Sequence, residues 1–205
     1  LIKLYIEDLY NTYQSFDIDD FHIKEKLKKY FNKKILLLFP GSSTNTEHNK
    51  ITKFIKNNDP IIISINFKSY LSNYIFISNK KRFESLSFSE DEKSKLILTS
   101  NLKTDIGLKV DYNKLINKIP LVEDNSGMML IKLLIDLGKT EVYLAGLDGY
   151  SHDLYDNFID PDFAFLKNNN IMDKMNIGIN KLIKNYSKNI KINFITTENY
   201  IRSTT

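Results

Sequence analysis

Residues 124–150, DNSGMMLIKLLIDLGKTEVYLAGLDGY, constrain the fold more than any other stretch of the chain. A polar turn, Asn125-Ser126-Gly127, leads into an apolar run whose spacing predicts a buried helix from 126 to 137. Gly138 supplies a helix stop. A strand at 141–145 follows, and then a second polar turn, Gly146-Leu147-Asp148-Gly149-Tyr150. Helix, stop, strand and turn together make half of an α/β unit. In an open parallel sheet, ligands sit at the carboxyl ends of the strands. The segment thus indicates both a fold and a place to look for function, without naming a reaction.

The rest of the chain repeats this alternation. The run KILLLF at 34–39 ends at Pro40-Gly41 and suits a strand buried on both faces of a parallel sheet. Further strands are expected at 61–65, 74–78, 95–99, 106–110 and 191–196. Helices are expected over 47–57, 126–137 and 172–186, with shorter helical pieces at 80–84 and 111–117. Residues 151–170 read as a long loop or irregular lid. These elements predict a three-layer, Rossmann-like α/β domain with a mainly parallel sheet over residues 33–205. Residues 1–32 read as a helical linker or extension, with helical spacing over 1–13 and Asp19 and Asp20 able to cap a second helix through Tyr30.

Composition narrows the function classes. With 205 residues, the length suits one domain. The 29 Lys and Arg are scattered among 25 acids for a net charge of +4, which is not the concentrated basic face of a nucleic-acid binder. Without cysteine there is no disulfide, thiolate zinc site or cysteine nucleophile, and the absence fits a reducing cytoplasm. No apolar run approaches the ~20 residues of a membrane span. The start at Leu1, directly into helical pattern, reads as a domain cut from a longer polypeptide.

Three groups of residues could carry chemistry. Gly41, Ser42 and Ser43 follow the first strand, where glycine admits a phosphate and hydroxyl and amide groups donate to it; equally, they form an ordinary capped turn. Asn66, Ser78, Asn79, Ser100 and Asn101 stand at successive strand ends, as ligand contacts or as turn formers. Ser126 and Gly127 open a helix, and Asp148 and Tyr150 follow the next strand. Helix amides favour an anion, and a phenol can donate to phosphate. Asp148 could hold a sugar hydroxyl or a metal, or bond the amides of its own turn. His22, His48 and His152 have no metal-ligand spacing, and no metal site is expected. His152 adjoins the last of these turns and is the candidate general base, with a solvated loop histidine as the alternative. Asp153, Asp156, Asp160 and Asp162 make an acidic loop without calcium-loop spacing.

Two resemblances rest on these residues. The Gly-Ser turn after the first strand, Asn66, Ser126-Gly127-Met-Met and the run 137–150 resemble the bacterial sialyltransferases of the Campylobacter type. That resemblance, covering roughly 34–196, implies a cytidine nucleotide or sugar nucleotide as ligand. It implies Gly41 and Ser42 near the donor phosphates, Asn66, Ser126 and Gly127 near the nucleotide, and Tyr150 facing the phosphate. That family carries a catalytic histidine before its last long helix. Here 166–174 reads LKNNNIMDK, so His152 would have to act from another loop. The segments 37–41, 60–66 and 74–83 resemble the C-terminal domain of aldolase-type proteins related to hydroxymethylglutaryl-CoA lyase and 4-hydroxy-2-oxovalerate aldolase. This second resemblance implies an upstream TIM barrel in the same polypeptide, a setting in surface-polysaccharide metabolism, and catalytic and metal-binding residues outside this chain. A docking or homo-oligomerisation module is the non-catalytic alternative.

Overall fold

The computed structural model describes residues 16–153 and 169–198. The helical spacing at 1–13, most of the loop expected over 151–170, Asp156, Asp160 and Asp162 lie outside them. Seven strands form one sheet: β1 (Ile35–Leu38), β2 (Ile61–Ile65), β3 (Tyr74–Ile77), β4 (Leu96–Thr99), β5 (Leu108–Val110), β6 (Glu141–Ala145) and β7 (Lys191–Phe194). Their order is β5-β4-β3-β2-β1-β6-β7, and every neighbouring pair is parallel. The fold is a three-layer, Rossmann-like α/β domain.

Helices sort to the two faces as right-handed crossovers require. From β1 to β5 the chain steps in one direction and crosses on one face. There α1 (Phe21–Tyr30) is absent, and α2 (Ser43–Thr46), α3 (His48–Asn58), α4 (Lys80–Ser85) and α5 (Glu90–Lys93) provide the cover. After β5 the chain passes through α6 (Tyr112–Leu115) and α7 (Ser126–Asp136) to β6, on the other side of β1. It then moves outward through α8 (Asn169–Tyr186) to β7. Residues of α1, α7 and α8 share one core with Leu37, Ile63, Phe76 and Leu144 of the sheet. Leu36, Leu38 and Ile62 face the opposite way, against Ile51 of α3.

Two crossovers carry no helix. Residues 66–73 join β2 to β3, and 100–107 join β4 to β5. Phe67 and Leu71 in the first, and Leu102 and Ile106 in the second, cover the apolar sheet where a helix would lie. Both parallel connections are shorter than the dozen or more residues usual for such a crossover. The sequence also hid α5, whose Ser89 and Glu92 form a reciprocal capping box.

Helix α1 belongs to the layered body through Leu27 and, just past its end, Phe31, both fully buried. Burial of such side chains contributes about 1.5–3 kcal/mol each. Asp20 does not cap the helix with its side chain. Its carboxylate accepts from Asp111 N–H at 3.1 Å instead and pairs with Lys24 at 3.3 Å and Lys114 at 3.5 Å. Buried Asp111 in turn accepts from Ile18 N–H at 3.1 Å and caps α6 by accepting from Lys114 N–H at 3.0 Å. Burial works to raise the Asp20 carboxyl, but the Asp111 amide and the two lysines outweigh it and hold it below its ordinary 3.8. A depressed carboxyl stabilises the fold above its unfolded value and loses that contribution as pH falls through the folded one. Asp20→Asn should therefore lower stability by about 1–3 kcal/mol at pH 7. The gap from wild type should close below pH 3.8, as read by urea unfolding across pH.

Candidate functional site

The sheet order reverses between β1 and β6, so their carboxyl ends bound the crevice at which open α/β sheets take ligands. Two loops meet there. Gly41 N–H donates to Gly146 C=O at 3.1 Å, and a Cβ on Gly41 would collide with that carbonyl and lie 2.7 Å from Asp148 Oδ2. Gly146 has φ +80°, and its missing side chain leaves room for Thr44 Oγ1 and the Phe39 carbonyl. Glycine at both positions is thus a packing requirement of the crossing loops.

Asp148 closes this junction. It is 1% exposed and accepts from Ser43 N–H at 2.8 Å, from the Ser43 hydroxyl, and from Ser42 Oγ at 3.3 Å. Ser43 Oγ lies 2.9 Å from Thr196 Oγ1, which accepts from Gly146 N–H at 2.9 Å. The segment after β7 is thereby tied to the same junction. Burial raises the Asp148 carboxyl above its ordinary value. The bonds from Ser43 and Ser42 act downward, and the charge of Glu47 adds to the rise. The amide at Ser43, which a phosphate would use in a phosphate-binding turn, is occupied by this carboxylate.

The strand-end polar residues form a second network around the start of α7. Asn66 Nδ2 donates to Ser126 Oγ at 2.7 Å, Ser126 Oγ and Ser78 Oγ are 2.5 Å apart, and Asn66 Oδ1 accepts from Ser78 N–H at 3.3 Å. Asn66 holds φ +61°, a conformation asparagine tolerates better than most side chains. Asn101 Nδ2 donates to the Ser78 carbonyl at 3.0 Å, and Thr99 Oγ1 donates to Asn101 Oδ1 at 2.6 Å. Asn125, rather than Ser126, is the helix cap, accepting from Met128 N–H at 3.1 Å. Gly127 packs against the Phe39 ring with no space for a Cβ.

Tyr150 follows Asp148 in the β6 turn and reaches the start of α7. Its backbone is clamped by the buried Asn176 of α8, which accepts from Tyr150 N–H at 2.7 Å and donates to the Tyr150 carbonyl at 2.8 Å. Its phenol reaches the α7 start, where it hydrogen-bonds with Asn125. Burial, reinforced by the Asp124 charge and opposed by the Asn125 bond, pushes the phenol up to about 12. Tyr150 is therefore a neutral hydrogen-bond donor at any physiological pH.

The sequence-derived candidates fall into distinct places. Gly41, Ser42, Ser43 and Asp148 form the loop junction; Asn66, Ser78, Ser126 and Gly127 surround the α7 start beside Tyr150. Asn79 stands apart as the cap of α4, accepting from Arg82 N–H at 3.0 Å. Ser100 turns to the N-terminal segment, donating to the Phe16 carbonyl and accepting from Tyr112 N–H at 3.0 Å. His152 is half exposed, with Nε2 2.8 Å from Asp173 of α8. Asn176 and Thr196 were not singled out from the sequence. Asn176 had a legible signal, as a polar residue adjoining the apolar stripe of Met172, Met175 and Ile179. No cluster of three or more metal-ligating side chains occurs among the described residues, and no described helix is long and apolar enough to cross a membrane.

Comparison with protein-family models, curated proteins and solved structures gives no match. The site is therefore read from its own geometry.

A raised carboxyl destabilises the fold when ionised, and that cost disappears as pH falls through the folded value. Asp148→Asn can keep the pattern, its Oδ1 accepting from Ser43 N–H and its Nδ2 donating to Ser43 Oγ. The stability of Asp148→Asn relative to wild type should be greatest near pH 7 and decline toward pH 4, as followed by thermal unfolding. A difference that grows on acidification would refute the burial account. Separately, Asn176→Ala removes its two hydrogen bonds to the Tyr150 backbone and should cost about 1–3 kcal/mol in urea unfolding.

Proposed function

We propose that this chain is a nucleotide or nucleotide-sugar binding domain whose ligand lies across the carboxyl edge of the sheet at the β1/β6 crevice. The observation that carries this reading is the convergence of the Tyr150 phenol and the α7 N-terminus at the topological switch point. A helix of this length presents amides that favour an anion, and Tyr150 adds a neutral donor. The phosphate therefore belongs at Ser126-Gly127 and Tyr150. The Gly41–Ser43 turn is a poorer phosphate seat, because Asp148 already takes the Ser43 amide and would repel a second anion. Asn66 and Ser78 stand beside Ser126 but are bonded to it and to each other, so a base or sugar would share or displace those bonds.

The ligand class, a cytidine nucleotide or sugar nucleotide, rests on the sialyltransferase resemblance. The aldolase-type resemblance adds an upstream TIM barrel in a cytoplasmic polysaccharide enzyme, with this domain binding or docking and the lyase chemistry residing in the barrel. A glycosyl-transfer reading draws on the His152–Asp173 pair, since a carboxylate 2.8 Å from a histidine can orient it as a base. Release of free nucleotide from a sugar-nucleotide panel, abolished by His152→Ala, would favour transfer; turnover unaffected by that substitution would remove the base assignment.

Calorimetric titration with cytidine monophosphate and a cytidine-monophosphate sugar tests the binding reading. Saturable heat is expected, and Tyr150→Phe should weaken binding about tenfold by removing one donor to a charged acceptor. No heat at millimolar ligand would sink the reading.

A further inference from the structure

The opposite edge of the sheet carries a groove unrelated to this crevice. It has a volume of about 500 Å³ and lies among Lys26 and Tyr30 of α1, Ser72 and Tyr74 before and at the start of β3, and Lys95 before β4. No acidic residue lines it, although the chain has 25 acids. Among the described residues, neither Lys26 nor Lys95 forms an ion pair. Lys26 Nζ stands 5.6 Å from the Tyr30 ring centre, and the other partner of that ring is Tyr74, stacked at 6.2 Å and 19°. Phe31 meets Tyr74 edge-on at 5.5 Å, fixing the tyrosine pair against the core. With its ring already partnered by Lys26 and Tyr74, Tyr30 has its hydroxyl to offer a ligand rather than a stacking surface. Burial, with the neighbouring Tyr30 phenol adding, raises the Tyr74 phenol, so it stays a proton donor at neutral pH. Ser72 Oγ is enclosed and has no hydrogen-bond partner among the described residues, a costly arrangement for a buried hydroxyl.

We propose that this groove binds a small phosphate-bearing anion. Two ammonium groups provide charge, and the Tyr30, Tyr74 and Ser72 hydroxyls provide neutral donors. A change of the Ser72 χ1 rotamer on binding would bring its enclosed, orphaned hydroxyl to an oxygen of the anion. A phosphate's oxygens can accept from several of these donors at once, where a carboxylate has only two. The site takes its residues from α1 and from the amino ends of β3 and β4. It does not depend on the nucleotide reading of the carboxyl edge.

The test is a backbone-amide NMR titration of the whole chain with inorganic phosphate and, in parallel, glycerol 1-phosphate, against sodium chloride at equal ionic strength. The expected result is saturable shifts at Ser72, Tyr74 and Lys95 in both phosphate series and none with chloride. Tighter binding of glycerol 1-phosphate would identify the ligand as a phosphomonoester, and equal or weaker binding would identify free phosphate. Lys26→Gln combined with Lys95→Gln should raise Kd about tenfold or more with an unchanged melting temperature. Ser72→Ala, a smaller change to the fold, should raise Kd in the same direction. Shifts that chloride reproduces, that do not saturate, or that persist unaltered in both variants would overturn the proposal.

Discussion

The junction of the β1 and β6 loops depends on one buried carboxylate. Asp148 leaves water to meet Ser43, and through Ser43 it holds together the β1 turn, the β6 turn and the segment after β7. Those segments are far apart in sequence and meet only because the strand order reverses at β1. A neutral residue with no acceptor here would leave the Ser43 amide without its partner between two glycine-dependent loops, and the Ser43 hydroxyl with Thr196 alone. The electrostatic cost of a carboxyl with a raised pKa is thus spent on fixing the position of the crevice walls.

The same junction changes how a glycine-serine turn should be interpreted. By composition, Gly41-Ser42-Ser43 fits a phosphate cradle as well as it fits a cap. What separates the alternatives is the residue that arrives from β6, which composition cannot reveal. With Asp148 on that amide, the proposed anion seat lies across the crevice at the start of α7. There Tyr150 supplies a donor whose proton is retained across the physiological range.

Much of the architecture was legible because its signals are local. The apolar run at 34–39 suits a strand buried on both faces, the run at 61–65 reads as the next strand, and the 126–145 unit announced its helix, stop and strand in order. The layer structure follows from those elements and the handedness of crossovers. The missing parts were non-local or short. The short helices Ser43–Thr46 and Glu90–Lys93 are too brief to leave a periodicity to read. Of the candidate site, the residue types were visible but their partners were not. Asn79 and Ser78 are sequence neighbours at a strand end, yet one caps a helix while the other contacts Ser126. Asn176 reaches Tyr150 from a distant helix, and Thr196 reaches Gly146 from beyond the last strand.

The helix-free crossovers have a consequence for how the sheet assembles. With only short loops between them, β2 meets β3 and β4 meets β5 at little cost in chain-closure entropy. The β1–β6 pairing is of another kind, since Leu36 must find Tyr143 after the whole of the β2–β5 half and α7 have been laid down between them. The largest loop-closure penalty in the sheet therefore falls on the seam that forms the crevice. The proposed binding edge is built on the strand pairing with the longest reach along the chain, so a ligand bridging its two walls would act as a staple across the seam most expensive to close.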